Sequence, residues 1–174
     1  MAEPAISALI VRVDAAEPLV GALRQRYDEN APQGLPPHVT VLVPFMPPQH
    51  IDDAVLRRLR TAVAGVPAFD FSCARLGRWP ETAYLVPEPP APFIALTRAV
   101  WAAFPEFPPY EGRYAEIAPH LTVGCGTTAD AVACERELAP RLAAHGPVVG
   151  RCEEVELIEN SRGRWHTMQR LPLG

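Results

Sequence analysis

Two copies of one short motif carry the residues best suited to chemistry in this chain of 174 residues. They occupy residues 37–41 (Pro-His-Val-Thr-Val) and 119–123 (Pro-His-Leu-Thr-Val). Each copy lies in an apolar, β-branched run that follows proline, which is typical of a short strand entered from a turn. Because side chains alternate along a strand, each histidine shares a face with the threonine two residues later. The pattern predicts a hydroxyl group beside each imidazole.

The paired side chains suit acid–base chemistry on a phosphate ester. Imidazole has the unperturbed pKa nearest neutrality, so one of His38 and His120 can accept a proton while the other donates one. Thr40 and Thr122 can donate hydrogen bonds to the non-bridging oxygens of a phosphodiester held between them. We therefore predict these four residues as catalytic, in an in-line displacement at phosphorus.

A structural role for the histidines is the alternative, because a lone histidine in a strand is usually a hydrogen-bonded packing residue. The chain has five histidines, and chance would rarely place two of them in the same pentapeptide. A repeat serving folding alone would not require His and Thr on one face. The functional interpretation is therefore favoured for this pair, whereas His50, His145 and His166 are predicted to be exposed or structural.

On the paired His-x-Thr motif, the chain resembles the two-histidine phosphoesterase superfamily, which contains bacterial 2′-5′ RNA ligases and 2′,3′-cyclic nucleotide phosphodiesterases. The spacing of the histidines (120 − 38 = 82 residues) and the chain length are also similar. The resemblance implies a metal-independent phosphodiesterase without cofactor, acting on 2′,3′-cyclic phosphates of nucleotides or RNA ends. Ligation of 2′-5′ RNA and non-catalytic binding of a nucleotide or RNA end are the alternatives. The likeness favours His120 as base, although the residues leave both assignments open.

The sequence departs from the ligase-like members five positions beyond each histidine. Those proteins often carry an aromatic residue and an arginine there, whereas this chain has Val43 and Cys125. Ligation of long RNA is therefore less expected than hydrolysis of small or terminal cyclic phosphates.

Aromatic residues elsewhere are candidates for substrate contact. Tyr110, Arg113 and Tyr114 precede the second motif, where a ring could stack on a base and a guanidinium could meet phosphate. Tyr114 is our prediction for substrate binding. Trp79 and Trp165 could line a groove, but tryptophan on a strand is more often core packing.

The other polar residues give weaker signals. A zinc site at the two motif histidines would need further ligands, and the sequence offers none near them. The four cysteines form no Cys-x-x-Cys pair, which favours reduced and mostly buried thiols.

Composition limits the class of protein. The formal net charge of −4 disfavours a general nucleic-acid binder but not one that takes an RNA terminus. No apolar run is long enough for a membrane span, and the first residues lack the basic region of a secretory signal. We expect a cytoplasmic monomer with a nucleotide or RNA terminus as its only indicated partner.

Periodicity predicts two successive units of similar order. The predicted strands cover residues 6–13, 39–43, 69–76, 83–86, 120–124, 148–158 and 164–171, with a hairpin turn at 160–163. The predicted helices cover residues 18–28, 52–64, 92–104 and a segment after 127 that ends or bends near Pro140. The resemblance implies one bilobed α+β domain over residues 1–174, with lobes of about 1–76 and 77–174. Its two pseudo-symmetric β-α-β units, with mainly antiparallel sheets, would flank a central cleft.

Overall fold

The computed structural model describes residues 4–174 and contains helices on one face of an antiparallel sheet. The strands are β1 Ser7–Arg12, β2 His38–Leu42, β3 Phe69–Trp79, β4 Thr82–Glu88, β5 Leu121–Cys125, β6 Val148–Cys152, β7 Glu154–Glu159 and β8 His166–Pro172. The α-helices are α1 Glu17–Tyr27, α2 Asp53–Ala64, α3 Ala91–Ala103 and α4 Thr128–His145. The predicted α+β class with antiparallel pairing is confirmed.

All eight strands form one sheet in the order β6-β3-β4-β5-β2-β1-β7-β8, and every pairing is antiparallel. The two motif strands, β2 and β5, are neighbours at its centre. Helices α1 and α4 pack on the side of β3, β4 and β5, and α2 and α3 pack near β8 and β2. The main core lies between these helices and the sheet. The strands of the two units therefore join directly at the motifs, and the division into lobes stays a prediction.

Local signals explain the helix boundaries. Asp52 caps α2 by accepting a hydrogen bond from the Val55 N–H at 2.9 Å. At the start of α4, Thr127 and Asp130 exchange hydrogen bonds in the predicted capping box. Pro140 does not end this helix. It lies on the exposed side, where water can satisfy the carbonyl that loses its partner, while Leu138 and Leu142 anchor the buried side.

The single strand predicted over 148–158 is wrong, because this segment forms two strands at different places in the sheet. β6 pairs with β3 at one edge, and β7 inserts between β1 and β8. Only Glu153 separates them. Two adjacent glutamates, Glu153 and Glu154, interrupt the apolar residues at the break, and the buried positions change from Val148 and Cys152 to Val155 and Leu157. This change of phase is the local signal of the point where the chain changes partners. The turn at 160–163 is confirmed: Gly163 adopts φ +73° and its N–H donates to the Asn160 carbonyl at 3.0 Å.

A second, smaller apolar cluster lies on the sheet face away from the helices. It consists of Ala8, Ile10, Leu35 and Ile158, with Val43 and Trp165 packed against it. Ile10 lies directly opposite Thr40 in the β1–β2 ladder, and opposite residues of an antiparallel pair share a face. The cluster therefore supports the face that carries the motif side chains.

Candidate active site

The register of β2 and β5 brings the four motif side chains together. Val39 lies opposite Leu121, and both are fully buried on the helix side of the sheet. One residue further in each direction, antiparallel pairing places His38 opposite Thr122 and Thr40 opposite His120. These side chains share the other face of the sheet, because side chains alternate along each strand. We call the four residues the His–Thr quartet: each histidine faces the threonine of the other motif.

Both imidazoles are held in the same way by the turn that precedes them. His38 Nδ1 lies 2.8 Å from the Pro36 carbonyl oxygen, and His120 Nδ1 lies 2.8 Å from the Ala118 carbonyl oxygen. A carbonyl only accepts, so each Nδ1–H donates and Nε2 carries the lone pair of the neutral ring. In each motif this leaves Nε2 as the nitrogen able to exchange a proton with a substrate.

Burial lowers the pKa of both histidines. The pKa of His38 falls to about 4, and the nearby positive charge of Arg24 adds to the effect of burial. The bond to Pro36 and the charge of Asp28 oppose it. Burial likewise lowers the pKa of His120, against the bond to Ala118. An anionic phosphodiester bound between the rings would favour their protonated forms and raise both pKa values.

A buried ion pair lies near His38. Arg24 Nη2 and Asp28 Oδ2 are 3.0 Å apart on the last turn of α1, and both side chains are almost inaccessible to water. Their charges act on the His38 pKa in opposite directions. The pair therefore contributes two opposing effects to the His38 pKa, both smaller than that of burial, and neither residue is among the predicted site residues.

Thr40 has an aromatic neighbour from the loop before the second motif. The Tyr110 N–H donates to the Val43 carbonyl at 2.7 Å, which fixes this residue at the end of β2. Burial raises the pKa of Tyr110, and a hydrogen-bond interaction with the Thr40 side chain opposes that rise. Tyr110 and Glu111 both have positive φ, +50° and +56°, a left-handed conformation that costs free energy for residues other than glycine. The strained turn holds the phenol beside the quartet.

His120 instead packs against two aromatic rings. Its ring centroid is 4.7 Å from that of Trp79 and 5.7 Å from that of Tyr84, and these two rings are 4.3 Å apart. Tyr84 lies opposite Thr122 and against Gly77, where an added Cβ would come within 2.6 Å of the tyrosine ring. Trp79, for which core packing was the more usual explanation, thus lies beside His120. Tyr84 also lies beside His120, and the sequence analysis did not predict it. An isolated glycine in a strand is the local signal that could have indicated this close approach.

With this geometry in place, the comparisons with known proteins identify the family. The family model described as the 2′-5′ RNA ligase superfamily matches residues 12–164. The chain belongs to the 2′-5′ RNA ligase superfamily. No curated protein sequence matches it.

Solved structures share the fold of this superfamily member. E. coli LigT complexed with 3′-AMP has a TM-score of 0.62 at 16% identity, over 98% of this chain and 99% of that chain. A protein described as a phosphoesterase has a TM-score of 0.58 at 17% identity, over 98% and 99% of the two chains. The protein TT0787 of Thermus thermophilus has a TM-score of 0.58 at 17% identity, over 96% and 97%. Identities this low establish a common fold.

The aromatic and basic residues that were candidates for substrate contact in this superfamily member differ in exposure and in their partners. Tyr114 is 68% exposed, and its ring centroid is 5.6 Å from that of Tyr110. Arg113 donates to Glu111 at 2.7 Å, so its guanidinium is already paired. Trp165 packs against the small apolar cluster that includes Ile10.

The other histidines are not gathered at the quartet. His50 and His145 are exposed, and His166 pairs with the buried carboxylate of Glu159. Across residues 4–174, no three His, Cys, Asp or Glu side chains are grouped to hold a metal ion. All four cysteines are free thiols, and Cys125 alone among them is exposed. No helix in the described part of the chain is long and apolar enough to cross a membrane.

Proposed function

We propose that this protein is a metal-independent phosphodiesterase that opens 2′,3′-cyclic phosphates of nucleotides or RNA ends. The observation that carries the proposal is the His–Thr quartet: two imidazoles with Nε2 available, each opposite a threonine hydroxyl of the other motif. Such a reciprocal arrangement offers a proton acceptor, a proton donor and two hydroxyl donors on one face of the sheet. This set of groups can catalyse in-line hydrolysis of a phosphodiester.

The proposed reaction is a single in-line displacement at phosphorus. The neutral histidine takes a proton from water through Nε2 as the water oxygen attacks phosphorus. The bond from phosphorus to one ribose oxygen breaks, and the protonated histidine gives its Nε2 proton to that oxygen. Thr40 and Thr122 donate hydrogen bonds to the two non-bridging oxygens, where negative charge is greatest. Proton exchange with solvent then restores the starting states of His38 and His120.

The comparisons support this chemistry at the level of the family. Membership in the 2′-5′ RNA ligase superfamily supports reaction at a phosphoester, and E. coli LigT has been crystallised with 3′-AMP. A ribose 3′-phosphate is one of the two products that opening a 2′,3′-cyclic phosphate can give. We therefore propose a ribonucleotide as the unit held at the quartet.

Ligation is the second candidate function, because the chain belongs to the 2′-5′ RNA ligase superfamily. If an RNA 5′-hydroxyl replaces water as nucleophile, the same base removes its proton and the same acid protonates the leaving oxygen. Hydrolysis and ligation then differ in the nucleophile rather than in the catalytic residues.

The test is hydrolysis of the four nucleoside 2′,3′-cyclic monophosphates in EDTA, with the phosphate position identified in each product. Wild type is compared with His120→Ala and with His145→Ala, an exposed histidine outside the quartet. We expect turnover by wild type and by His145→Ala, and its loss in His120→Ala. The phosphate position then identifies which ribose oxygen leaves.

Two results would contradict the proposal. Turnover by His120→Ala at the wild-type rate would exclude paired acid–base catalysis. A perturbed histidine titrates between about pH 4 and 9. If a cyclic nucleotide binds but no product forms at any pH in this range, the result would instead support non-catalytic binding of a nucleotide or RNA end.

A further inference from the structure

A cavity of about 470 Å³ opens beside Thr40. It lies where β2 and β5 leave their pairing at Val39 and Leu121, and its walls are α3 and the loop of residues 108–119. Ala118, whose carbonyl accepts the hydrogen bond from His120 Nδ1–H, also lines it. Of the quartet, Thr40 alone lines the cavity, and Pro119, the neighbour of His120, lines it on the other side. The volume of the cavity is that of a small-molecule site.

Two aromatic rings on opposite walls remain open to solvent. Trp101 on α3 is 39% exposed, and Tyr114 on the loop is 68% exposed. The side chains of Ile94 and Tyr110 add apolar surface further in. Rings that could have been buried but instead border a cavity suit the flat face of a nucleobase, which stacks on aromatic side chains with little sequence preference.

Arg98 gives the same wall a positive charge. It lies three residues before Trp101 and four after Ile94, so the three side chains form one stripe along α3. Within residues 4–174, no carboxylate lies within ion-pair distance of its guanidinium. Arg113, across the cavity mouth, is by contrast paired with Glu111. Arg98 is thus available for a phosphate oxygen.

We propose that this cavity is a second nucleotide subsite, so that the preferred substrate is an RNA 3′ end of at least two nucleotides. The inference rests on the proposed function, which puts the terminal cyclic phosphate at the quartet. The base of the adjoining nucleotide stacks against Trp101 and Tyr114. Arg98 meets the phosphodiester that joins the two nucleotides. Glu116, also on the loop wall, can accept a hydrogen bond from a base amino group or a ribose hydroxyl.

The kinetic test compares a dinucleotide ending in a 2′,3′-cyclic phosphate with the matching mononucleotide. For wild type we expect a kcat/KM ratio of about 10 in favour of the dinucleotide, the size of one base–aromatic stack. Trp101→Ala and Arg98→Ala should each bring the ratio close to 1, whereas Trp101→Phe, which keeps a ring, should retain most of it. Arg60→Ala, an exposed arginine on α2 outside the cavity, is the charge-matched control and should keep the wild-type ratio.

A binding measurement separates this proposal from the proposed function. Calorimetry gives the Kd of a dinucleotide with a 3′-phosphate and of 3′-AMP for wild type, Trp101→Ala and Arg98→Ala. A roughly tenfold preference for the dinucleotide, lost in both variants, supports the subsite even if no substrate is hydrolysed; absence of hydrolysis would then overturn only the proposed function. Hydrolysis with a kcat/KM ratio near 1, or a ratio unchanged by both variants, overturns the subsite and leaves the proposed function standing.

Discussion

The two motif copies present the same side chains but have different surroundings. His38 lies near the buried pair of Arg24 and Asp28, and its own strand is bound at its end by the strained turn at Tyr110. His120 packs instead against the rings of Trp79 and Tyr84. Burial lowers the pKa of both imidazoles, but charged groups add to its effect only at His38, and aromatic rings surround only His120.

This difference matters because the proposed reaction needs one histidine neutral and the other protonated. Two imidazoles in identical surroundings would have no preference for either assignment. Environments of different chemistry can separate the pKa values of paired titratable groups and so assign the roles of acid and base. A sequence repeat can therefore provide matched catalytic groups, while neighbours outside the repeat provide the asymmetry.

The largest expected effect comes from removing either imidazole. His38→Ala and His120→Ala should each lower kcat for a 2′,3′-cyclic nucleotide by about 100- to 10,000-fold, since each loses one proton transfer. Steady-state kinetics at saturating substrate checks this, with circular dichroism confirming that both variants fold. A variant that keeps its rate would show that the two copies differ in function and not only in environment.

The pH profile shows which copy is the base. The base must be deprotonated and the acid protonated, so kcat/KM rises with pH through the base pKa and falls through the acid pKa. Both histidine pKa values are lowered in the free protein, His38 to about 4, so the optimum of kcat/KM should lie below pH 6.5. The residual activity of each alanine variant should lack the limb of the missing group. An optimum above about pH 7 would contradict the lowered values.

A smaller effect is expected from the threonines. Thr40→Val and Thr122→Val should each lower kcat by about 100-fold, because each removes one donor to a non-bridging oxygen, while Thr→Ser at the same position restores most of it. Equal losses would show that the quartet acts symmetrically despite its neighbours. Losses confined to KM would mean that the hydroxyl groups bind the ground state only.

Removing the Tyr110 hydroxyl tests whether the different surroundings of the two motif copies affect the rate of the reaction. If this phenol orients the Thr40 hydroxyl, Tyr110→Phe should lower kcat about fivefold, an effect of roughly 1 kcal/mol typical of a hydrogen bond. The loss should disappear in a Thr40→Val background and persist in a Thr122→Val background. Additive losses with Thr40→Val would mean that Tyr110 acts independently of this threonine.

The smallest effect concerns the aromatic neighbours of His120. Trp79→Ala opens that ring to water, which reduces the burial that lowers its pKa, so the His120 pKa should move up toward 6.5. NMR titration of the two ring signals should show this shift for His120 and not for His38. Movement of both signals would mean that the two environments are coupled through the sheet.

Much of this site follows from local sequence. The period of two along β2 and β5 places His and Thr on one face, and the apolar residues between them fix the opposite face toward the helices. The capping residues Asp52 and Thr127 and the turn at 160–163 mark element boundaries in the same direct way.

What the sequence does not predict depends on pairing between distant segments. Tyr110 reaches Thr40 only because its loop hydrogen-bonds to the end of β2, and Trp79 reaches His120 only because β4 lies between β3 and β5. The two strands on either side of Glu153 are similar: Glu153 and Glu154 mark the break locally, but the distant partners β3 and β1 decide where each strand pairs.

The insertion of β7 beside β1 also bears on how the chain is made. β1 is synthesised first, yet its Ser7 pairs with Glu159, near the C-terminus. At synthesis rates of ~5–20 residues per second, one edge of β1 waits for on the order of ten seconds before its partner leaves the ribosome. During that time the nascent chain presents an unpaired apolar strand, the kind of surface through which polypeptides aggregate. β7 thus closes an apolar strand edge that stays open until β7 itself has been made.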